Sequence, residues 1–175
     1  MSTQRIRAGP DGWSAARPGA TLATAEHALR RAWAFGAARA LALVWAGMVL
    51  GVSFLATPAK FLAPSLELPV ALDVGRHTFG VFSAVELALA AALALLGPLA
   101  ADGGRRLLPL APGLIVLAQA LWLQPLLDAR VQQVIAGAMP PPSRVHLGYV
   151  ACEAAKVALL FAIGLAAARP VQRGR

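Results

Sequence analysis

Four stretches of the chain stay apolar long enough to cross a bilayer, and the charges are confined to the segments between them. A spanning helix needs about 20 mostly apolar residues, because the hydrocarbon is about 30 Å thick and each helical residue rises roughly 1.5 Å. The first stretch, residues 40–59, carries no charge and lies between Arg39 and Lys60. The second, 78–101, contains Glu86; the third, 107–127, is uncharged and stops at Asp128. The fourth, 145–168, lies between Arg144 and Arg169 and carries His146, Glu153 and Lys156. The pattern predicts an all-α, four-helix transmembrane bundle of up-down topology.

Proline and glycine set the expected limits. Pro69 suits the first turn of a second helix that starts outside the lipid, and Gly97-Pro98 with Asp102-Gly103-Gly104 is expected to end it. Pro109 and Pro112 either open the third helix or kink its first turns. Pro125 and the residues up to Ala136 extend that helix past the membrane. Pro140, Pro141 and Pro142 force a break, after which Ser143 is the expected N-cap of the fourth span. Gly47 and Gly51 form a GxxxG pair in the first span that would let another helix approach closely, and the alanines from Ala84 to Ala94 read as intramolecular packing.

These limits divide the chain into three parts. Residues 1–36 are a basic tail, rich in Gly, Pro, Ser and Arg and disordered up to about Ala20. Leu22, Ala25, Leu29 and Trp33 then recur at helical spacing, which fits either a short interfacial helix or an N-terminal extension of the first span. Residues 37–169 hold the four spans, and 170–175 form a basic C-terminal tail. The first apolar run begins after Arg39 and is too long for a signal h-region, so no cleaved leader is expected.

Composition agrees with lipid as the solvent. Hydrophobic residues make up 58% and charged residues 14% of 175 positions, against roughly 25% charged in soluble domains. The net charge of +8 does not signal nucleic acid, because the arginines sit in tails and short loops and form no basic surface interleaved with aromatics. Their placement instead sets topology. Eleven arginines fall on the side of the termini, and Lys60, Arg76, Arg130 and Arg144 fall on the other. By the positive-inside rule both termini are cytoplasmic, in a bacterial-type inner membrane.

The ionisable residues of the fourth span carry the chemical interest. His146, Tyr149, Glu153 and Lys156 are separated by steps of three, four and three, so a helix places them on one stripe. Lys156 is 12 residues from Arg144 and 13 from Arg169, about 18 Å from either end, too deep to snorkel. Such groups cost at least ~2.5–3.5 kcal/mol each on insertion, so they are expected to face protein or trapped water. Glu86 lies at about the same depth as Glu153. It stands nine residues, a half turn in phase, from His77, so an inward Glu86 turns His77 toward the headgroups. The candidate polar site is therefore Glu86, His146, Tyr149, Glu153 and Lys156. Gln119 and Ser53 are too ordinary in membrane helices to add to it, and Trp33, Trp122 and Tyr149 near the span ends also fit an aromatic belt.

No nucleophile elbow, phosphate loop or HExxH motif is present. Cys152 is the only cysteine, so there is no intramolecular disulfide and no CxxC pair. Three readings remain: a pathway for a proton, ion or small solute along the polar stripe; a structural or accessory subunit in which Glu153 and Lys156 neutralise each other, Glu86 is protonated or hydrogen-bonded to Lys156 across the bundle, and the cluster only fixes helix register; and a haem- or metal-binding redox protein using His146 with His77. The sequence favours the first, with no enzyme activity and no cofactor. The expected partners are the lipid bilayer and a homo-oligomer or larger membrane partner.

Three short stretches, Arg76-His77-Thr78-Phe79-Gly80, Trp122-Leu123-Gln124-Pro125 and Arg144-Val145-His146, resemble the transmembrane protein 205-like family of small four-helix membrane proteins of unknown function. The similarity in layout runs from Ala37 to Ala168. Where family members often follow the last histidine with glycine and serines, this chain has Leu147-Gly148-Tyr149. The resemblance implies a four-span bundle and no catalytic activity or cofactor.

The charge asymmetry makes a direct prediction. Green fluorescent protein fused after Arg175 fluoresces in cells, and alkaline phosphatase fused there is inactive; the reverse pair of results would put the termini outside.

Overall fold

In the computed structural model, residues 18–100 and 103–166 are described, and their side chains over 22–99 and 107–166. Among them every regular element is helical. Helix α1 (Pro18–Val49) passes without a break through a π-helical stretch (Leu50–Ala56) into α2 (Thr57–Lys60). A loop leads to α3 (Leu68–Ala100). A 3-10 segment (Gly103–Leu110) then feeds α4 (Ala111–Ala118), a second π-helical stretch (Gln119–Leu123) and α5 (Gln124–Ile135). The last helix is α6 (Val145–Gly164). These pieces make four rods long and apolar enough to cross a membrane: Leu22–Lys60, Leu68–Leu99, Leu107–Ile135 and Val145–Gly164.

The rods pack in up-down order, with α1 against both α3 and α6. On α1 the buried face is Ala34, Ala38, Ala42, Trp45, Ala46 and Val49, mostly alanines at steps of three and four that let neighbouring backbones come close. Phe82, Leu93, Val116, Leu160 and Ile163 complete the core. Leucines and valines such as Val44, Leu55, Leu95, Leu114 and Leu121 point outward, while buried charged groups lie inside. An apolar exterior around a polar centre is the arrangement lipid demands and water would penalise.

Several limits differ from the sequence reading. The stretch from Leu22 to Trp33 belongs to the same helix as the first span, and that helix already begins at Pro18. The expected tail over residues 1–17 and the C-terminal tail 170–175 lie outside the described residues. Leu22–Lys60 covers 39 residues, roughly 58 Å of helix, so it projects well beyond the hydrocarbon. Gly97-Pro98 does not end α3, which runs on to Ala100. A proline so near a helix end forfeits a single helical hydrogen bond. Gly97 is also where Pro109 packs: a Cβ there would stand 2.5 Å from the Pro109 Cβ. Of the two prolines opening the third rod, Pro109 lies in the 3-10 segment and Pro112 in the first turn of α4.

The ends of α5 and α6 show how the loops are fixed. Gly137 has φ +82°, and Gly137 and Ala138 return their amides to Val134 and Gln133 at 3.0 and 2.9 Å. This left-handed glycine cap closes α5. Arg130 donates to the carbonyls of Pro140 and Pro141, tying down the proline run. Arg144 occupies the N-cap position of α6, while the Ser143 hydroxyl accepts the Val145 amide at 3.2 Å. At its other end α6 stops at Gly164, short of the expected Ala168. There Arg39 Nε donates to the Gly164 carbonyl at 2.7 Å, a cation on a helix C-terminus where the dipole favours it.

The GxxxG pair faces away from the bundle. Gly47 is exposed, and a Cβ on Gly47 or Gly51 would meet nothing within 4 Å, so the expected close approach at this motif does not occur within the chain. Close approach falls instead on Gly164, where a Cβ would lie 2.5 Å from the Leu43 side chain. Gly164→Val is therefore expected to destabilise the bundle by about 1–3 kcal/mol through overpacking, and Gly47→Val by less than about 0.5 kcal/mol. Thermal unfolding of the two variants in the same detergent checks the contrast.

Candidate functional site

The centre of the bundle is built around Lys156, which is wholly buried on α6. An ammonium has three N–H donors and no acceptor, and here three oxygens meet it: Glu86 Oε1 at 2.5 Å, Glu153 Oε1 at 2.8 Å and Gln119 Oε1 at 3.0 Å. Gln119 links two of these groups, because its Nε2 donates to Glu153 Oε1 at 2.7 Å. With a carboxylate on one side and an ammonium on the other, only this orientation of the amide satisfies both ends. Ser53 donates to Glu153 Oε2 at 2.7 Å, and Trp45 Nε1 donates to Glu86 Oε1 at 2.9 Å. All four rods thus contribute: Trp45 and Ser53 from the first, Glu86 from the second, Gln119 from the third, and Glu153 and Lys156 from the fourth.

Backbone geometry aims two of the neutral members, Ser53 from the first rod and Gln119 from the third. Ser53 lies in the π-helical stretch Leu50–Ala56, and Gln119 opens the π-helical stretch Gln119–Leu123. A π turn is wider than an α turn and shifts the phase of the residues beyond it, and such turns concentrate at functional sites. Two of them at one level of the bundle bring a hydroxyl and an amide onto the same carboxylate.

The cluster holds two carboxyl groups, Glu86 and Glu153, against one ammonium, so with both ionised it carries one surplus negative charge; among the described residues no second cation pairs with either of them. The next ionic cluster lies at the end of the bundle away from the termini, where Arg76 joins Asp73 at 2.9 Å and Asp128 at 3.4 Å and so ties α3 to α5.

A cavity of about 330 Å³ reaches the cluster from that same end. Ser53 and Glu153 form its floor, Phe54, Phe79 and Tyr149 its wall, and Phe61 and His146 its exposed rim. Phe79 and Tyr149 meet edge to face, with centroids 5.5 Å apart. The opening exists because α1 and α6 are pinned together at Arg39, Leu43 and Gly164 and diverge toward the other end. On the side of the termini the core residues Ala42, Leu93, Val116, Leu160 and Ile163 fill the interior. The site therefore has a dry apolar half and an open half.

Of the five residues proposed from the sequence, Glu86, Glu153 and Lys156 converge in one hydrogen-bonded cluster. Tyr149 is buried (6% exposed) on the cavity wall and does not belong to an aromatic belt. Trp33 and Trp122, 70% and 66% exposed, do face outward. His146 is exposed at the rim and shares no hydrogen bond with the cluster, because its place on the stripe is where the rods have already parted. His77 is likewise exposed, with Nδ1 3.0 Å from the Asp73 carbonyl oxygen, and lines a separate groove with Val81 and Val85. The geometry does not bring the two histidines to one site. Among the described residues no group of three His, Cys, Asp or Glu side chains is placed to hold a metal ion.

Sequence reasoning passed over Trp45, Ser53 and Gln119. The available signal was depth: Gln119 is the polar residue in the middle of the third apolar stretch, level with Lys156. Comparison of the chain with family models, curated proteins and solved structures finds no match.

Removing one partner of a buried pair strands the other, at a cost of about 3–5 kcal/mol. Lys156→Met should therefore destabilise the protein by that amount, and Lys156→Met with Glu86→Gln by distinctly less, since one stranded carboxylate is gone. Denaturant unfolding of both variants in mixed micelles measures the difference.

Proposed function

We propose that this chain is a multi-pass protein of a bacterial-type inner membrane, with both termini cytoplasmic, that carries protons or small monovalent cations through the bundle. The observation that carries the reading is a cluster of two carboxyl groups and one ammonium that a cavity reaches at Glu153. Two carboxylates share one ammonium, and Glu153 belongs both to the cluster and to the floor of the cavity. An uncompensated negative charge inside a membrane protein is costly, and ionisable groups at such depth mark proton relays and ion pathways. A proton or monovalent cation arriving through the cavity balances the site.

Under this reading the cavity mouth lies on the non-cytoplasmic side, which the charge asymmetry of the loops supports. The layer of Leu93, Val116, Leu160 and Ile163 then forms the cytoplasmic barrier, which has to part for release on that side. The chain is short and shows no internal repeat, so alternating access by rocking of two halves is less natural here than local opening of this layer. The resemblance to a small four-span family adds no activity to the reading.

A second reading rests on one specific observation. Every N–H of Lys156 has an acceptor, and the network joins all four rods, which is what a purely register-fixing cluster requires. The two readings part on flux. In proteoliposomes with a pH-sensitive dye inside and an imposed membrane potential, the wild-type chain should acidify or alkalinise the lumen above the protein-free rate, and Glu153→Gln should lower that rate at least tenfold. Equal flux in wild type and Glu153→Gln removes the relay; a folded wild type with no flux leaves the cluster as a structural clamp.

A further inference from the structure

The cavity above Glu153 has a chemistry of its own. Its volume of about 330 Å³ lies at the lower end of the range for small-molecule sites, enough for one small organic ligand. The chain has six phenylalanines and one tyrosine, and four of these seven rings, Phe54, Phe61, Phe79 and Tyr149, line this cavity, whereas no leucine does. A site that needed only to be apolar would draw on the abundant leucines. Ring faces carry negative potential, and they attract a cation within about 6 Å. At the floor stands the carboxylate of a cluster with one surplus negative charge, and no lysine or arginine lines the space.

An anion would meet the Glu153 carboxylate at the floor with no lysine or arginine lining the space. A sugar or other polyol would find few hydrogen-bonding groups. A divalent metal ion needs about six or more oxygen ligands, and the lining offers far fewer. One ring already shows the expected contact: Lys60 Nζ stands 5.1 Å from the centroid of Phe61. Phe54 and Phe79 have no such occupant.

We infer that this cavity binds a small organic ammonium cation bearing apolar or aromatic substituents, held between Phe54, Phe79 and Tyr149 with its charge toward Glu153. The inference deepens the proposed pathway and rests on it for the surplus charge of the cluster. A bound ammonium and an added proton answer the same charge, so the site holds one or the other.

The test uses the full chain in lipid nanodiscs, with benzyltrimethylammonium as the probe and neopentylbenzene as its uncharged isostere. Titration calorimetry, with protein-free nanodiscs subtracted, should give one site for the cation and at least tenfold weaker binding for the isostere. Phe54→Leu and Phe79→Leu should each weaken the cation roughly tenfold, while Phe35→Leu, on the first rod about two dozen residues before Phe61 and outside the cavity lining, should leave it unchanged. Phe54 is 40% exposed, so that variant keeps the fold even if Phe79→Leu does not. Equal binding of cation and isostere, no effect of the Phe54 variant, or no binding to the wild type overturns the inference. If the wild type fails to bind the cation yet keeps a proton flux lost in Glu153→Gln, the ligand falls and the pathway stands. If it binds with the expected variant pattern and shows no flux, the pathway falls and the ligand site stands.

Discussion

The fold is organised by the need to surround one ammonium group in the middle of an apolar bundle. Lys156 is too far from either end to reach water, so its charge has to be met where it lies. That requirement fixes the rotation of three other rods: Glu86 must face in from the second, Gln119 from the third, and Ser53 must arrive on Glu153 from the first. Interaction between lipid-embedded helices gains little from the hydrophobic effect, since acyl tails are as apolar as leucine. Register has to come from close packing and from polar contacts. Here the alanine face of α1 and the approach of Leu43 to Gly164 supply the first, and the Lys156 network supplies the second.

The sequence made the four rods legible because length and apolarity alone identify a spanning helix. It also gave the inward direction of Glu86, Glu153 and Lys156, since the depth of a charge decides its facing. What it did not give depended on deviations from the regular 100° turn. Ser53 and Gln119 reach the site through π turns, whose position no apolar periodicity announces. Trp45 was hidden because a tryptophan in an apolar run looks like packing until its N–H finds a carboxylate. His146 shares the stripe with Lys156, but a stripe records only angle; at the depth of His146 the rods have separated. Gly47 and Gly51 matched a packing motif, yet in a chain so rich in small residues the motif did not identify the contact, and Gly164, with no motif around it, did.

The bundle is asymmetric along its axis, and the asymmetry comes from where the small residues lie. Toward the termini, alanines on α1 and Gly164 on α6 allow the first and fourth rods to touch, and Arg39 holds the end of α6. Toward the other end the first rod carries Phe54, Pro58 and Phe61, and α6 carries Tyr149, and these larger side chains line the cavity between the rods. The polar cluster lies at the boundary between the two halves.

Glu153 with Lys156, three residues apart on one helix, already makes one pair of opposite charges. Glu86 ties the second rod to that pair and is additional in charge. It brings a second carboxyl group into a space where each uncompensated charge is penalised, and it accepts hydrogen bonds from Trp45 and Lys156. A site for exchange needs an unfilled demand, because a cluster that is neutral when empty has no reason to take up a proton or a cation. In the proposed pathway the second carboxylate supplies that demand, and the cavity reaches Glu153 from the end away from the termini. This combination, more than the burial of any single residue, is why the pathway reading is preferred to the clamp.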